Sequence, residues 1–277
     1  METASTLVAV VQGRGSTVLT SEAITIDSDH QVALHVAEAA GQALVALRDG
    51  ADPELDPQRL RDDGDRHSHQ LIVRLLAELR PDDAVLSEEG ADDAARLGHR
   101  RVWIVDPLDG TREYGEPGRT DWAVHIALVE GGTPTVAAVA LPASLLLFGT
   151  SPAPTLPPAA SGRIRLVVSR SHTPPAATEI ARLLDAELIH MGSAGAKTMA
   201  VVRGEADAYV HLGGQYEWDS AAPVGVAIAA GLLATRADGS ALRYNQPNPW
   251  LPDQVVCRAE HQDAILEAVR SVVRSGL

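Results

Sequence analysis

Cysteine is all but missing from this chain of 277 residues: Cys257 stands alone, so no internal disulfide can form and a reducing cytoplasm is the expected compartment. Basic residues are outnumbered, 23 Lys+Arg against 37 Asp+Glu, for a formal net charge of −14. Phosphate-rich surfaces are gripped by clustered Lys and Arg, so a nucleic acid polymer or an anionic membrane is a poor partner for this chain. If it handles a small anionic substrate, something other than its side chains must supply positive charge. Long apolar runs are missing too. Ala221–Ala234 is short and broken by Pro223 and glycines, and METASTLVAVVQGRG has neither the basic start nor the continuous apolar stretch of a signal peptide. Aromatics make up only 3%, and there is no internal repeat. What is present is ordinary for a folded protein: 45% hydrophobic and 22% charged residues exclude global disorder. The length suits one large domain or two halves sharing an interface.

Periodicity sorts the chain into two kinds of organisation. Residues 1–28 read as an N-terminal extension in which STLVAVV and STVLT favour strands. Val36, Ala40, Leu44 and Leu47 recur at helical steps, predicting a helix over about 31–47 that stops at Gly50. A second helix is expected to follow Asp65, with Leu71, Ile72, Leu75, Leu76 and Leu79 on one face and Pro81 ending it. Strand patterns follow at 84–86, 102–105, 122–129, 135–141 and 145–148, the third with Trp122, Val124, Ile126 and Leu128 in alternation. SPAPTLPP, residues 151–158, suits neither a helix nor a central strand and marks a boundary. Beyond it strands (164–168, 187–190, 207–211, 254–258) alternate with helices (174–184, 194–204, 220–231, 260–274). The fold class is therefore α/β, with an α+β first half over 29–158, two helices then an antiparallel meander, and an α/β second half over 159–277.

Chemistry concentrates in VWIVDPLDGTREYGEPGRTDWAV. An apolar strand delivers Asp106 at its end, Pro107 stiffens the departure, and Asp109 three residues on can aim at the same point. Mg²⁺ takes oxygen ligands at about 2.1 Å in near-octahedral array, and two aspartates with the Leu108 carbonyl between them can supply several. Gly110 permits close backbone approach, and the Gly110 and Thr111 N–H groups are placed to face a phosphate. A bare DxxD is ordinarily an acidic surface turn; one ending a strand and carrying Pro, Gly and Thr in this order is not. Glu88-Glu89 in VLSEEG would alone be a solvated pair, and Asp219 in YEWDSAAP alone a helix N-cap worth about 1 kcal/mol. All three sites lie where strands end or helices begin, which is where α/β ligand sites assemble.

SEEG, DPLDGT and WDSAAP, in this order and with these gaps, resemble the lithium-sensitive, magnesium-dependent phosphatases of the inositol monophosphatase superfamily. Within it, DPLDGTREY and VVSRSH (residues 167–172) are similar to the branch of 3′(2′),5′-bisphosphate nucleotidases, with Tyr114 in place of the usual Phe. The resemblance covers nearly everything after residue 29 and implies a layered αβαβα sandwich. It implies Glu88, Asp106, the Leu108 carbonyl, Asp109 and Asp219 as metal ligands, and Asp65 with Thr111 as a pair orienting the attacking water; a helix N-cap is the other reading of Asp65, and the specificity of the neighbouring motifs favours the water-orienting one. Two or three Mg²⁺ ions would then neutralise the phosphate, activate water and stabilise the leaving oxygen of an in-line displacement. Thr111 is too weak a base alone and would need Asp65 to accept its proton. The implied reaction is hydrolysis of the 3′-phosphate of 3′-phosphoadenosine 5′-phosphate in sulfate assimilation.

Weaker signals concern the rest of the substrate. Ser169, Arg170 and His172 could touch a second phosphate or ribose, or be ordinary loop polarity. Ser193 and Lys197 stand near a helix start and could hold an anion, as could Arg112 and Arg119. Leu108, Asp109, Gly110, Thr111 and Asp219 complete the expected substrate contacts. His67, His69, His99 and His125 lack zinc-ligand spacing and read as surface or strand residues. Inositol phosphatases carry a carboxylate after the DAY segment, where DAYVHLGG puts His211 or Leu212, which weighs against inositol. Two rivals remain: an inositol-1-phosphate or fructose-1,6-bisphosphate phosphatase with the same metal chemistry, and a non-catalytic metal- or nucleotide-binding regulator. A mere binder has no use for the Asp65–Thr111 pair. The expected partner is a small phosphorylated molecule, with a homodimer compatible with the sequence.

Overall fold

The computed structural model of this protein describes residues 26–52, 56–171 and 173–275. The strand readings STLVAVV and STVLT lie outside the described residues, as does His172. Ser28 already belongs to the first helix: its hydroxyl accepts from the Gln31 N–H at 3.2 Å while the Gln31 side chain accepts from the Ser28 N–H at 3.0 Å. This reciprocal cap starts the helix.

The first part of the fold runs α1 (Asp29–Asp49), α2 (Pro57–Leu79), β1 (Ala84–Ser87), β2 (Arg101–Asp109), the single turn α3 (Thr111–Tyr114), β3 (Ala123–Glu130), β4 (Thr133–Leu141) and β5 (Leu146–Gly149). The second part runs β6 (Arg165–Ser169), α4 (Pro175–Leu184), β7 (Glu187–Met191), α5 (Ala194–Val202), β8 (Ala208–His211), β9 (Gln215–Tyr216) and α6 (Glu217–Ala229). It closes with β10 (Leu233–Thr235), β11 (Trp250–Leu251), β12 (Gln254–Cys257) and α7 (Gln262–Ser275). One five-stranded sheet has the order β1-β2-β3-β4-β5, and the other β10-β12-β8-β6-β7.

Strand alternation sorts side chains into layers. On β2 and β3, Trp103, Val105, Val124, Ile126 and Leu128 face α1 and α2, where they pack on Val36, Leu44, Ile72 and Leu76. Val102, Ile104 and Ala127 point the other way, onto α5 and α6, which also pack against Tyr209 and Val256 of the second sheet. On that sheet's outer face, Leu166, Val168 and Val255 meet Ile180 of α4 and Ile265 and Val269 of α7. Helix pair, sheet, helix pair, sheet, helix pair is the αβαβα sandwich that was expected. Burying each large aliphatic side chain contributes roughly 1.5–3 kcal/mol.

Three local expectations are corrected. β1 pairs parallel with β2, so the first sheet is not wholly an antiparallel meander. Helix α2 begins eight residues before Asp65, at Pro57, because the Asp56 carboxylate accepts from the Gln58 N–H at 3.0 Å and Pro57 fits the first helical position. Asp65 is thus a mid-helix residue and no N-cap. Likewise α6 begins at Glu217, which puts Asp219 at its third position, accepting from the Tyr216 N–H at 2.7 Å. Cys257 is free and buried, and among the described residues no helix is long and apolar enough to cross a membrane.

Candidate active site

The DPLDGT stretch is shaped by a bulge. Asp106 stands opposite His125 and Asp109 opposite Ala123, so β2 spends one more residue than β3 over this interval. The bulge turns both carboxylates towards the middle layer. The Ser68 hydroxyl on α2 donates to the Pro107 carbonyl at 2.7 Å, fixing the turn from the other side. Gly110 follows with φ of +87°, and a Cβ there would come within 3.0 Å of Ser193 Cβ, 3.2 Å of the Asp121 carbonyl and 3.3 Å of Trp122 Cα. Only glycine meets both demands. The hydroxyl that Tyr114 adds donates to the Leu44 carbonyl at 2.9 Å, so that departure from the family pattern is accommodated.

Asp106, Asp109 and Asp219 each bring a carboxylate oxygen within 4.8 Å of the others. Glu88, at the rim beyond β1, adds a fourth: burial first, then the charge of Asp219, pushes its carboxyl up to about 7. Asp219 is pushed up to about 6 by burial and by Asp109. Asp106, 1% exposed, is raised well above the usual range by burial and by Glu88. Asp109 goes the other way, held down to about 2. Burial alone would raise it, but the His125 charge at 3.2 Å, the Ser193 hydroxyl and the Gly195 N–H overcome that. Hard oxygen donors crowded together, three of them with carboxyls raised by burial and then by mutual repulsion, fit a divalent cation, which would relieve that repulsion.

Asp65 and Thr111 are also brought together. The Thr111 hydroxyl lies 3.0 Å from the Leu108 carbonyl and 3.4 Å from Asp65 Oδ1, two acceptors for one proton. Burial, then Glu89, pushes the Asp65 carboxyl up to about 7.

The candidate substrate contacts are placed unequally. Ser193 holds φ at +50°, a strained value for a non-glycine residue. Its hydroxyl donates to Asp109 at 2.5 Å, and the Ala194 and Gly195 N–H groups bind the same carboxylate at 3.1 and 2.6 Å. The start of α5 is thus committed to Asp109. Arg170 is committed to Glu113 at 2.7 Å and Glu116 at 2.9 Å, Arg119 pairs with Asp121, and Ser169 sits 3.4 Å from the Ser171 hydroxyl. Lys197, the only lysine of the sequence, is 6% exposed. Its ammonium lies 5.2 Å from the Tyr209 ring centroid and among the described residues makes no ion pair. Burial lowers its pKa, partly offset by Asp109 and Glu113.

His125, expected to be a surface or strand residue, is a strand residue but not a surface one, and its place beside the carboxylates was missed. His125, with 0% exposure, lies 3.2 Å from Asp109 Oδ2 through Nε2 and 3.0 Å from the Trp218 carbonyl through Nδ1. Burial pulls its pKa down, but Asp109 more than compensates and the net shift is upward. A histidine on the inward face of β3, in register with Ala123 and Ala127, was the available signal.

The raised carboxyls carry a stability consequence. Between about pH 4, where unfolded carboxylic acids ionise, and about pH 7, the folded chain keeps protons at Asp65, Glu88, Asp106 and Asp219 that the unfolded chain has lost. The folded state binds more protons there, so metal-free stability falls as pH rises through that window. A divalent cation held by the clustered carboxylates would need them deprotonated, so the gain in Tm from added Mg²⁺ should grow over the same window. Melting curves in EDTA and in Mg²⁺ across this range check it; a Tm gain independent of pH would contradict the assignment.

The profile of the inositol monophosphatase family matches residues 20–274. This chain belongs to that family. A protein of Mycobacterium leprae named 3′-phosphoadenosine 5′-phosphate phosphatase is 48% identical over 259 residues, covering 88% of this chain and 94% of that protein. One of the same name from Mycobacterium tuberculosis is 49% identical over 244 residues, covering 85% and 91%. The crystal structure of CysQ from Bacteroides thetaiotaomicron superposes with a TM-score of 0.72 at 30% identity, covering 83% of this chain and 97% of that one. Inositol monophosphatase II of Staphylococcus aureus, TM-score 0.73 at 22% identity over 86% and 94%, shares the fold. The resemblance read from SEEG, DPLDGT and WDSAAP is borne out.

Proposed function

We propose that this protein is a Mg²⁺-dependent phosphatase that removes the 3′-phosphate of 3′-phosphoadenosine 5′-phosphate. The chemistry rests on one observation, the Asp65–Thr111 pair set beside the four-carboxylate cluster; the substrate rests on the mycobacterial relatives. Glu88, Asp106, the Leu108 carbonyl, Asp109 and Asp219 would hold two or three ions. When bound, the metal neutralises the phosphate, activates water and stabilises the leaving oxygen. When its proton is donated to Asp65 rather than to the Leu108 carbonyl, the Thr111 hydroxyl offers its lone pairs to a water approaching the phosphorus. Asp65, with a carboxyl near neutrality, can take up the proton passed along.

The second phosphate needs a donor outside the carboxylate cluster. Lys197 suits this role better than Arg170, whose guanidinium already has two carboxylates. A charge-assisted hydrogen bond to phosphate contributes roughly 1.5–3 kcal/mol, about ten- to a hundredfold in affinity. Lys197→Met should therefore raise KM for the bisphosphate by about that factor while changing KM for a monophosphate ester far less. A rise shared equally by both substrates would make Lys197 part of the general phosphate site.

The proposal divides the chain at 151–158, with 29–158 bearing Asp65, Glu88, Asp106, Asp109 and Thr111 and 159–277 bearing Ser193, Lys197 and Asp219. The coil between β5 and β6 supports that division. The lone buried Cys257 supports a reducing, cytoplasmic setting. Phosphate release is the test, from 3′-phosphoadenosine 5′-phosphate, inositol 1-phosphate and fructose 1,6-bisphosphate, with Mg²⁺ and with EDTA. The nucleotide should have the highest kcat/KM, and EDTA should abolish turnover of all three. Better turnover of inositol 1-phosphate would move the enzyme to the inositol reading, and full activity in chelator would end the metal reading.

A further inference from the structure

His125 contacts three elements at once. Its Nε2 faces Asp109 at the end of β2 at 3.2 Å, and its Nδ1 faces the carbonyl of Trp218 on α6, one residue before Asp219, at 3.0 Å. The ring also lies on the first turn of α5: a Cβ added at Gly195 would fall 2.1 Å from Nε2. Nδ1 is 3.9 Å from Asp106 Oδ2 as well. β2 and α6 come from opposite sides of the 151–158 segment, and no covalent geometry sets the distance between Asp109 and Asp219.

We propose that His125 is a positioning residue for the cation site, a buried strut that holds the Asp109 carboxylate and the first turn of α6 at the separation that metal binding requires. Side chains that orient ligating groups set how much rearrangement binding costs, and their loss typically weakens metal affinity about 10–100-fold. Asp109 would keep its α5 donors without the ring, but nothing else named here joins it to the Trp218–Asp219 backbone. The inference rests on the metal-dependent reading for its cation alone; substrate plays no part.

The test is calorimetric titration of the full-length metal-free protein with Mg²⁺, alongside metal-free melts, for wild type, His125→Asn and His125→Gln. An asparagine amide can take the place of Nδ1 towards Trp218 but cannot reach Asp109; a glutamine amide can reach Asp109. Each variant keeps only one end of the strut, so both should melt near wild type and bind Mg²⁺ about 10–100-fold more weakly. Wild-type affinity in either variant overturns the proposal, and so does failure of both to fold, because the ring would then be a packing element. Since no substrate is present, a wrong assignment of substrate leaves the result unaffected.

Discussion

Asp106→Asn should lower kcat/KM by about 10³-fold or more, the loss expected when several kcal/mol of charge stabilisation is removed. The metal-free protein should melt no lower than wild type. Both expectations follow from surroundings that are unfavourable to a charge. Asp106 is 1% exposed and shares its space with Glu88, Asp109 and Asp219, whose charges, after burial itself, disfavour its ionised form. Its one hydrogen bond from the backbone, the Leu108 N–H to Oδ1 at 3.0 Å, is kept by an asparagine carbonyl. The substitution thus removes a proposed metal ligand while relieving repulsion. Asp109→Asn makes the contrast. Asp109 accepts from the Ser193 hydroxyl and from the Ala194 and Gly195 N–H groups, so an amide NH₂ there would face donors, and Tm should fall. Turnover of Asp106→Asn within tenfold of wild type would remove Asp106 from the ligand set. A lower melting point for Asp106→Asn than for Asp109→Asn would reverse the account of which carboxylate is structural.

Thr111→Ala should lower kcat by about 10²–10⁴-fold with little change in KM, the range for general acid–base assistance. Thr111→Ser should keep most of the activity, since only the hydroxyl is used. The side chain is positioned by Gly110 on one side and by the Leu108 carbonyl and Asp65 on the other, at 3.0 and 3.4 Å. Asp65→Asn should cost a comparable factor, and the double variant Thr111→Ala with Asp65→Asn little more than either single one, because the two act in one relay. Additive losses would mean that they serve the reaction separately. An alanine variant that turns over like wild type would reduce Thr111 to a cap on the short turn of α3.

The placement of Arg170 and the start of α2 show where linear reading reaches its limit. Arg170 follows a strand and reads as a free phosphate donor until folding sets it beside Glu113 and Glu116, more than fifty positions away in the chain. The mid-helix position of Asp65 was closer to hand, since Asp56-Pro57 is a helix-start signal. The run from Gln58 to Arg66 obscured it, because it is mostly polar and carries no apolar period, although Leu60 and Gly64 turn towards the core. Gly64, whose added Cβ would come 2.7 Å from the Tyr114 ring, brings α2 close enough for Asp65 to reach Thr111.

The sequence by itself determined the layered class, through the change from helical to strand periodicity and then to alternation. It also picked out carboxylate and hydroxyl groups that the fold brings together, and the bulge, turn and short helix that carry Asp106, Asp109 and Thr111 are encoded within the few residues of DPLDGT and their local sterics. Only the tertiary structure decided how those groups differ from one another. Asp106 and Asp109, three residues apart, are driven in opposite directions because Asp106, fully buried, is crowded by three like charges with a single backbone N–H and His125 only at 3.9 Å, while Asp109 meets His125 at 3.2 Å and the donors at the start of α5. His125, Ser193 and Lys197 owe their surroundings to contacts across the middle layer, where distance in space has no relation to distance along the chain. Electrostatics in a buried site depends on that spatial arrangement of charges and donors, which a linear pattern does not contain.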